Sequence, residues 1–247
     1  MKGLWLQDRT MTYRSDLPMP VLEPDEVLIK VLLAGVCSTD LEMLRGYYDF
    51  TGIPGHEFVG LVVDDNGHPE LYGKRVIGDI NISCGECERC LNQEPSQCMQ
   101  RRTLGIFDYN GVFAEYCKLP AKNLTVVPDS VSDILAVFTE PTAAALRILD
   151  QVQVRPSDRV IVVGAGRLGL LIAQALKNTG CDLKVVVRRA ELAAILNGLG
   201  ITAVYADEIR GSVADIVVEV TGSPEGFELS RSLTRARGTL VLKSTFA

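Results

Sequence analysis

The sequence predicts an α/β protein of two unlike parts, a mostly antiparallel β unit followed by a doubly wound parallel sheet. Three observations carry that reading. Short strand patterns punctuated by turn residues fill the first half. Near-continuous apolar strands alternate with helical patterns in the second half, the mark of a sheet covered on both faces. A glycine turn joins the first of those apolar strands to the first of those helices.

In the first half the strands are Glu26 to Leu33, Glu57 to Val63 and Lys74 to Gly78, with Asp65-Asn66-Gly67-His68-Pro69 as an intervening turn. In the second half a strand over Arg159–Val163 is followed by a helix from about Leu168 to Lys177. A strand at Leu183–Val187, a helix at Glu191–Leu199 and strands at Asp215–Val220 and Thr239–Leu242 complete the alternation. Pro141 suits the first turn of a helix that runs to about Asp150 and joins the two parts. No internal repeat or low-complexity tract interrupts the pattern.

At 247 residues with 47% hydrophobic composition the chain can bury one large or two ordinary cores. Its 25 Lys and Arg against 31 Asp and Glu leave a net charge of −6, without the basic excess that a nucleic-acid backbone demands. Seven cysteines are an odd number, and four crowd between Cys84 and Cys98, which suits a metal site in a reducing, cytoplasmic compartment better than a disulfide framework. The apolar run at the N-terminus is too short for a signal peptide, and none elsewhere reaches membrane-spanning length.

Cys84, Cys87, Cys90 and Cys98 form C-x2-C-x2-C-x7-C, four thiolates on one short loop. Zinc takes four such ligands tetrahedrally, and a shell of four thiolates leaves no position for chemistry, so the site is structural. An iron–sulfur cluster is the competing occupant.

Only two histidines occur. His68 falls in the turn, whereas His56, between Gly55 and Glu57, opens an apolar strand where an imidazole needs a partner. Cys37, in Gly35-Val36-Cys37-Ser38-Thr39-Asp40, flanks the same β unit. Either residue alone fits a packed core as well as a metal, and spacing leaves both readings open.

Gly164-Ala165-Gly166-Arg167-Leu168-Gly169 follows a strand and opens a helix, the context in which G-x-G-x-x-G binds a dinucleotide pyrophosphate. Arg167 adds a cation beside the phosphates. An NAD site wants an acidic residue at the end of the next strand, but here that strand ends in Arg188-Arg189. Guanidinium groups pair bidentately with phosphate, which favours NADP(H) over NAD(H). Thr221 and Gly222 end a later strand on the side where the nicotinamide belongs.

Taken together, Cys37 with Thr39 and Asp40, Gly55-His56-Glu57, the four-cysteine loop, Gly111-Val112-Phe113-Ala114-Glu115-Tyr116 and the glycine fingerprint resemble, in order, the zinc-dependent medium-chain dehydrogenase/reductase family. The resemblance covers nearly the whole chain. It implies a GroES-like catalytic domain over residues 1–139, with a structural zinc lobe at about 84–98. A Rossmann domain over 140–247 would follow, C-terminally incomplete because the family's sixth strand and the return to the catalytic domain are missing.

By the same resemblance Cys37 and His56 bind a catalytic zinc, and Glu140, in Thr139-Glu140-Pro141, or Glu57 is the third ligand. The Glu-Pro pair is similar to that of polyol and glucose dehydrogenases. Thr39 matches the proton-relay hydroxyl, although a helix cap would also explain it. Glu42 stands where many relatives carry a relay histidine.

The implied activity is hydride transfer between NADP(H) and a secondary alcohol or polyol, with two zinc ions per chain, a small-molecule substrate and a homo-dimeric or tetrameric full-length relative. An NAD-linked amino-alcohol dehydrogenase similar to threonine dehydrogenase is the alternative within enzymes. A non-catalytic NADPH-binding zinc protein is the alternative outside them.

Overall fold

The structure, a computed structural model, describes residues 1–244. It divides into two units, one spanning Met1–Glu140 and one beginning at Pro141.

The first unit opens with a hairpin that the sequence pattern did not announce, β1 (Gly3–Gln7) and β2 (Thr10–Arg14). Its turn residues Asp8 and Arg9 both take positive φ, at 48° and 61°, the twist a two-residue hairpin prefers. Then come β3 (Glu26–Gly35), α1 (Ser38–Leu44), β4 (Glu57–Asp64), β5 (Arg75–Gly78) and β6 (Asn81–Ile82). The unit continues through α2 (Glu88–Leu91), β7 (Arg102–Thr103), β8 (Tyr116–Pro120), β9 (Leu124–Val126) and α3 (Asp133–Ala136). Five of these strands form one antiparallel sheet in the order β8-β3-β4-β5-β9. Alternate residues point inward, so Val27 and Ile29 of β3, Phe58 and Val62 of β4, Val76 of β5 and Leu119 of β8 meet in one core. Each such side chain removed from water contributes about 1.5–3 kcal/mol.

The division between units falls within α4 (Thr139–Gln151), of which Pro141 is the third residue, in the first turn where a missing N–H costs nothing. The second unit contains β10 (Arg159–Val163), α5 (Arg167–Lys177), β11 (Asp182–Val187), α6 (Ala190–Gly198) and β12 (Thr202–Tyr205), then β13 (Ala214–Glu219), α7 (Pro224–Leu233) and β14 (Thr234–Leu242). All five strands are parallel, in the order β12-β11-β10-β13-β14. Val160 and Val162 face one core while Ile161 and Val163 face another, which is why β10 reads as continuously apolar.

Three elements of this unit differ from the pattern reading, the first being α7, capped by Ser223 with Pro224 in its first turn, which the reading left without a helix. β12 is short, half-exposed and at the sheet edge, so it lacks the apolar signal of its neighbours. β14 begins at Thr234, five residues before its apolar run, because Arg235 pairs with Asp215 at 2.6 Å and a bulge at Ala214/Ile216 takes up the register. Among the described residues no helix is long and apolar enough to cross a membrane.

Candidate functional site

In the first unit β3 and β4 pair with Gly35 opposite Glu57, so the segment leaving one strand meets the segment entering the other. Cys37 caps the N-terminus of α1 in extended backbone. His56 is 3% exposed just ahead of β4, and Glu57 is that strand's first residue. Gly35 makes room for the carboxylate, since a Cβ there would lie 2.3 Å from Glu57 Oε2. The ligand atoms of Cys37, His56 and Glu57 all lie within 4.8 Å of one another. Thiol, imidazole and carboxylate at that spacing suit a tetrahedral metal with a fourth position open to water or substrate. Glu140, the second residue of α4, is not a member of this three-residue group.

Behind the trio stands a residue whose role the sequence pattern did not single out. Asp40 is buried; its Oδ2 accepts the backbone N–H of Cys37 at 2.8 Å, and its Oδ1 faces His56 Nδ1 at 3.4 Å. That second contact falls short of a formed hydrogen bond, and among the described residues neither atom has another hydrogen-bond partner. With Nδ1 turned to Asp40, Nε2 is the nitrogen left for a metal, the arrangement in which a carboxylate fixes the tautomer of a ligating histidine. Burial opposes charging His56, but Asp40 and the Cys37 thiol outweigh it and raise the imidazole pKa to about 10. These surroundings favour a positive charge at the imidazole, which a dication supplies as well as a proton does. The residues present therefore fit a zinc ion. A capping residue three positions after a cysteine was the available signal for Asp40.

Thr39 Oγ1 lies 3.6 Å from Cys37 Sγ. Because Cys37 occupies the N-cap, Thr39 sits inside α1, and the reading of its hydroxyl as a helix cap is set aside. Glu42 is engaged by Arg45 at 2.6 Å on the same helix. Of the nearby aromatic residues, Phe50 is core, packed with Leu6, Met43 and Ile106, while Tyr48 touches both Tyr47 and Phe107 edge-on or tilted.

The four-cysteine loop closes on itself around α2. Sulfur–sulfur separations are 3.5 Å for Cys87–Cys90 and Cys84–Cys98, 3.8 Å for Cys87–Cys98 and 3.9 Å for Cys84–Cys90. Four sulfurs about 2.3 Å from a tetrahedral zinc stand about 3.8 Å apart, so the loop is shaped for one. Backbone N–H groups aimed at the sulfurs lower Cys87 to about 6 and draw Cys98 down, while burial and the neighbouring sulfurs push Cys90 up to about 11.

In the second unit the glycine fingerprint joins β10 to α5. Gly164 turns the chain at φ +110° beneath Thr221, and a Cβ at Gly169 would lie 2.1 Å from Gly164 O, so helix and strand approach as closely as backbone allows. A Cβ at Gly166 would meet nothing within 4 Å, and Gly166 caps α5 with Arg167 and Leu168 as the first helical residues. Open space above an N-terminal helix turn is a cradle for a pyrophosphate. Arg188 and Arg189 follow β11 directly, both exposed, Arg189 as the N-cap of α6.

Thr221 and Gly222 leave β13 in a turn organised by Glu219, a second residue that the pattern reading left without a role. Thr221 donates both its backbone N–H and its hydroxyl to Glu219 Oε1 at 2.6 Å, and the Gly222 N–H reaches the same oxygen at 3.2 Å. An acidic residue closing an apolar strand was the signal for it.

An antiparallel β unit carrying a three-residue open metal set and a closed four-thiolate loop, joined in one chain to a parallel sheet with a dinucleotide cradle, defines the class of zinc-type dehydrogenases. Known proteins agree. Residues 23–129 match the alcohol dehydrogenase GroES-like domain, and residues 159–211 match the pyridine nucleotide-disulphide oxidoreductase model. The L-threonine 3-dehydrogenase of Xanthomonas campestris (strain B100) is 33% identical over 93% of this chain and 67% of its own length. The starvation-sensing protein RspB of Escherichia coli K12 is 35% identical over 76% of this chain, a match that spans only 56% of RspB. A protein described as a zinc-binding dehydrogenase from Sinorhizobium meliloti 1021, bound to NADP, superposes with a TM-score of 0.89 at 30% identity, over 99% of this chain and 77% of that one. The chain belongs to the zinc-dependent medium-chain alcohol dehydrogenase family.

Proposed function

We propose that this chain carries out zinc-dependent hydride transfer between NADP(H) and a secondary alcohol or polyol and its carbonyl partner. The observation that carries the reading is the convergence of Cys37, His56 and Glu57, backed by Asp40, into an open metal set. Glu57, whose carboxylate joins that group, is the favoured third ligand over Glu140. Zinc bound there supplies Lewis acidity to a substrate oxygen, so that an alcohol loses its proton near neutral pH.

The chain's own residues do the rest. Asp40 holds the Cys37 backbone with one oxygen and orients the His56 ring with the other. Thr39, beside the Cys37 sulfur, takes the hydroxyl proton and passes it outward. Gly166 leaves its cradle clear for the pyrophosphate, while Arg188 and Arg189 pair with a 2′-phosphate at the end of β11. Cys84, Cys87, Cys90 and Cys98 hold a second, structural zinc. Free thiols at this density fit a reducing, cytoplasmic setting.

The test is metal content together with binding of NADPH and NADH. Two zincs per chain, one of them lost in Cys37→Ser, are expected. NADPH binding should be at least tenfold tighter than NADH binding, with the advantage erased by replacing Arg188 and Arg189 with Ala. One zinc that survives Cys37→Ser would remove the catalytic-metal assignment. A second reading, NAD-linked oxidation of an amino alcohol, is favoured by the match to L-threonine 3-dehydrogenase. A preference for NADH with turnover of L-threonine would select it.

A further inference from the structure

The chain enters the parallel sheet at β10, builds outward through β11 and β12, then crosses back to β13 and β14 on the other side. The switch point between β10 and β13 is where such a sheet binds its ligand, outside the carboxyl ends of the strands. Glu219 is the last residue of β13, at that end, and is 2% exposed. One of its oxygens accepts the two Thr221 donors and the Gly222 N–H, and the other accepts the Ser244 hydroxyl. Burial alone would push this carboxyl up, but the donors from Ser244 and Thr221 outweigh it and hold its pKa below the usual range. The donors that reach it are neutral hydroxyl and backbone groups. A buried carboxylate held only by neutral donors retains an uncompensated negative charge.

Thr221, fastened to Glu219, packs on Gly164: a Cβ at 164 would meet Thr221 Cγ2 at 3.0 Å and Val220 O at 3.1 Å. The Glu219 turn and the glycine turn thus form one wall of the crevice. With the 2′-phosphate end of a dinucleotide directed toward Arg188 and Arg189 after β11, the opposite, nicotinamide half runs over β13. Oxidised nicotinamide carries a positive ring charge that the reduced ring lacks.

We infer that Glu219 is a positioning residue that shapes the Thr221–Ser223 turn and, through its fixed charge, biases the site toward the oxidised cofactor. The inference rests on the dinucleotide reading above.

The experiment measures dissociation constants of NADP+ and NADPH by titration calorimetry on the full chain. Glu219→Gln keeps an oxygen for the Thr221 and Gly222 donors but removes the charge. It should weaken NADP+ by about three- to tenfold while NADPH changes less than twofold, as expected for a charge acting through partly screened space. Glu219→Ala also loses the turn and should weaken both forms. Should Glu219→Gln fail to fold, Ser244→Lys sets an ammonium beside the same carboxylate and should move the ratio of the two constants in the same direction. An unchanged ratio in whichever of these two variants folds overturns the inference while leaving the cofactor reading intact. Absence of binding of either form to the wild type overturns both.

Discussion

Asp40 and His56 face each other across 3.4 Å in the interior of the first unit, and Asp40's other oxygen accepts the Cys37 N–H at 2.8 Å. One carboxylate therefore ties together two proposed metal ligands that lie 19 residues apart in the chain. The placement of both depends on it, and its charge helps to raise the His56 imidazole pKa.

Replacing Asp40 with Asn keeps the shape and removes the charge behind the imidazole. Zinc affinity at the Cys37–His56–Glu57 set is expected to fall about 10- to 100-fold, the usual effect of losing such a partner. Competition with a chromophoric chelator measures it. The four-thiolate zinc is the internal reference and should be unaffected; equal loss of both metals would indicate general unfolding instead.

Cys98→Ser tests the other centre. The four sulfurs stand 3.5–3.9 Å apart along four of their edges, and the short helix between them buries no residue. Loss of one thiolate, or chelation, should remove one zinc per chain and expose the segment from Cys84 to Gln100 to proteolysis. The catalytic set should retain its metal, because it shares no ligand with the loop.

Gly166 and Gly169 should fail in different ways. Gly169→Ala forces a methyl against Gly164 O, so about 1–3 kcal/mol of stability is expected to be lost, read as a drop in Tm. Gly166→Val meets no protein atom near its Cβ and should leave Tm nearly unchanged while blocking the dinucleotide. A Gly166→Val protein that still binds NADPH at the wild-type level would remove the cradle from this turn.

Glu26 governs acid stability. It is 2% exposed, bonded to Tyr109 at 2.5 Å and to Lys118 at 2.6 Å. Burial raises its pKa, but these bonds outweigh burial and hold it below the ordinary value of 4.5. A carboxyl whose folded pKa is depressed contributes stability above its unfolded pKa, and that contribution is lost as pH falls through the folded value. Glu26→Gln should therefore lower Tm at pH 7, by the equivalent of about 1–3 kcal/mol for lost charge-assisted bonds, with the gap to wild type closing below pH 4.5. A gap that does not narrow in acid would mean that the ionised form contributes nothing.

Features set by short spacing or by periodicity were legible in the sequence. The four cysteines span 15 positions, and their loop can close only on itself. The strand–glycine–helix of residues 159–177 is likewise local: a positive φ at Gly164 and close packing at Gly169 are backbone needs that glycine alone meets. β12 and the early start of β14 escaped, because an edge strand and an arginine-rich bulge carry no apolar period.

What only the tertiary structure decided concerns residues far apart in the chain. The family resemblance named Cys37, His56, Glu57 and Glu140 as candidates, but the β3–β4 register brings the first three together in one group without Glu140. The roles of Asp40 and Glu219 were equally out of reach, since a carboxylate's function depends on which donors surround it. Local geometry repeats within a few residues and can be read from spacing. Strand register and burial are set by the whole core at once, and a one-residue slip would send each of these side chains to the other face.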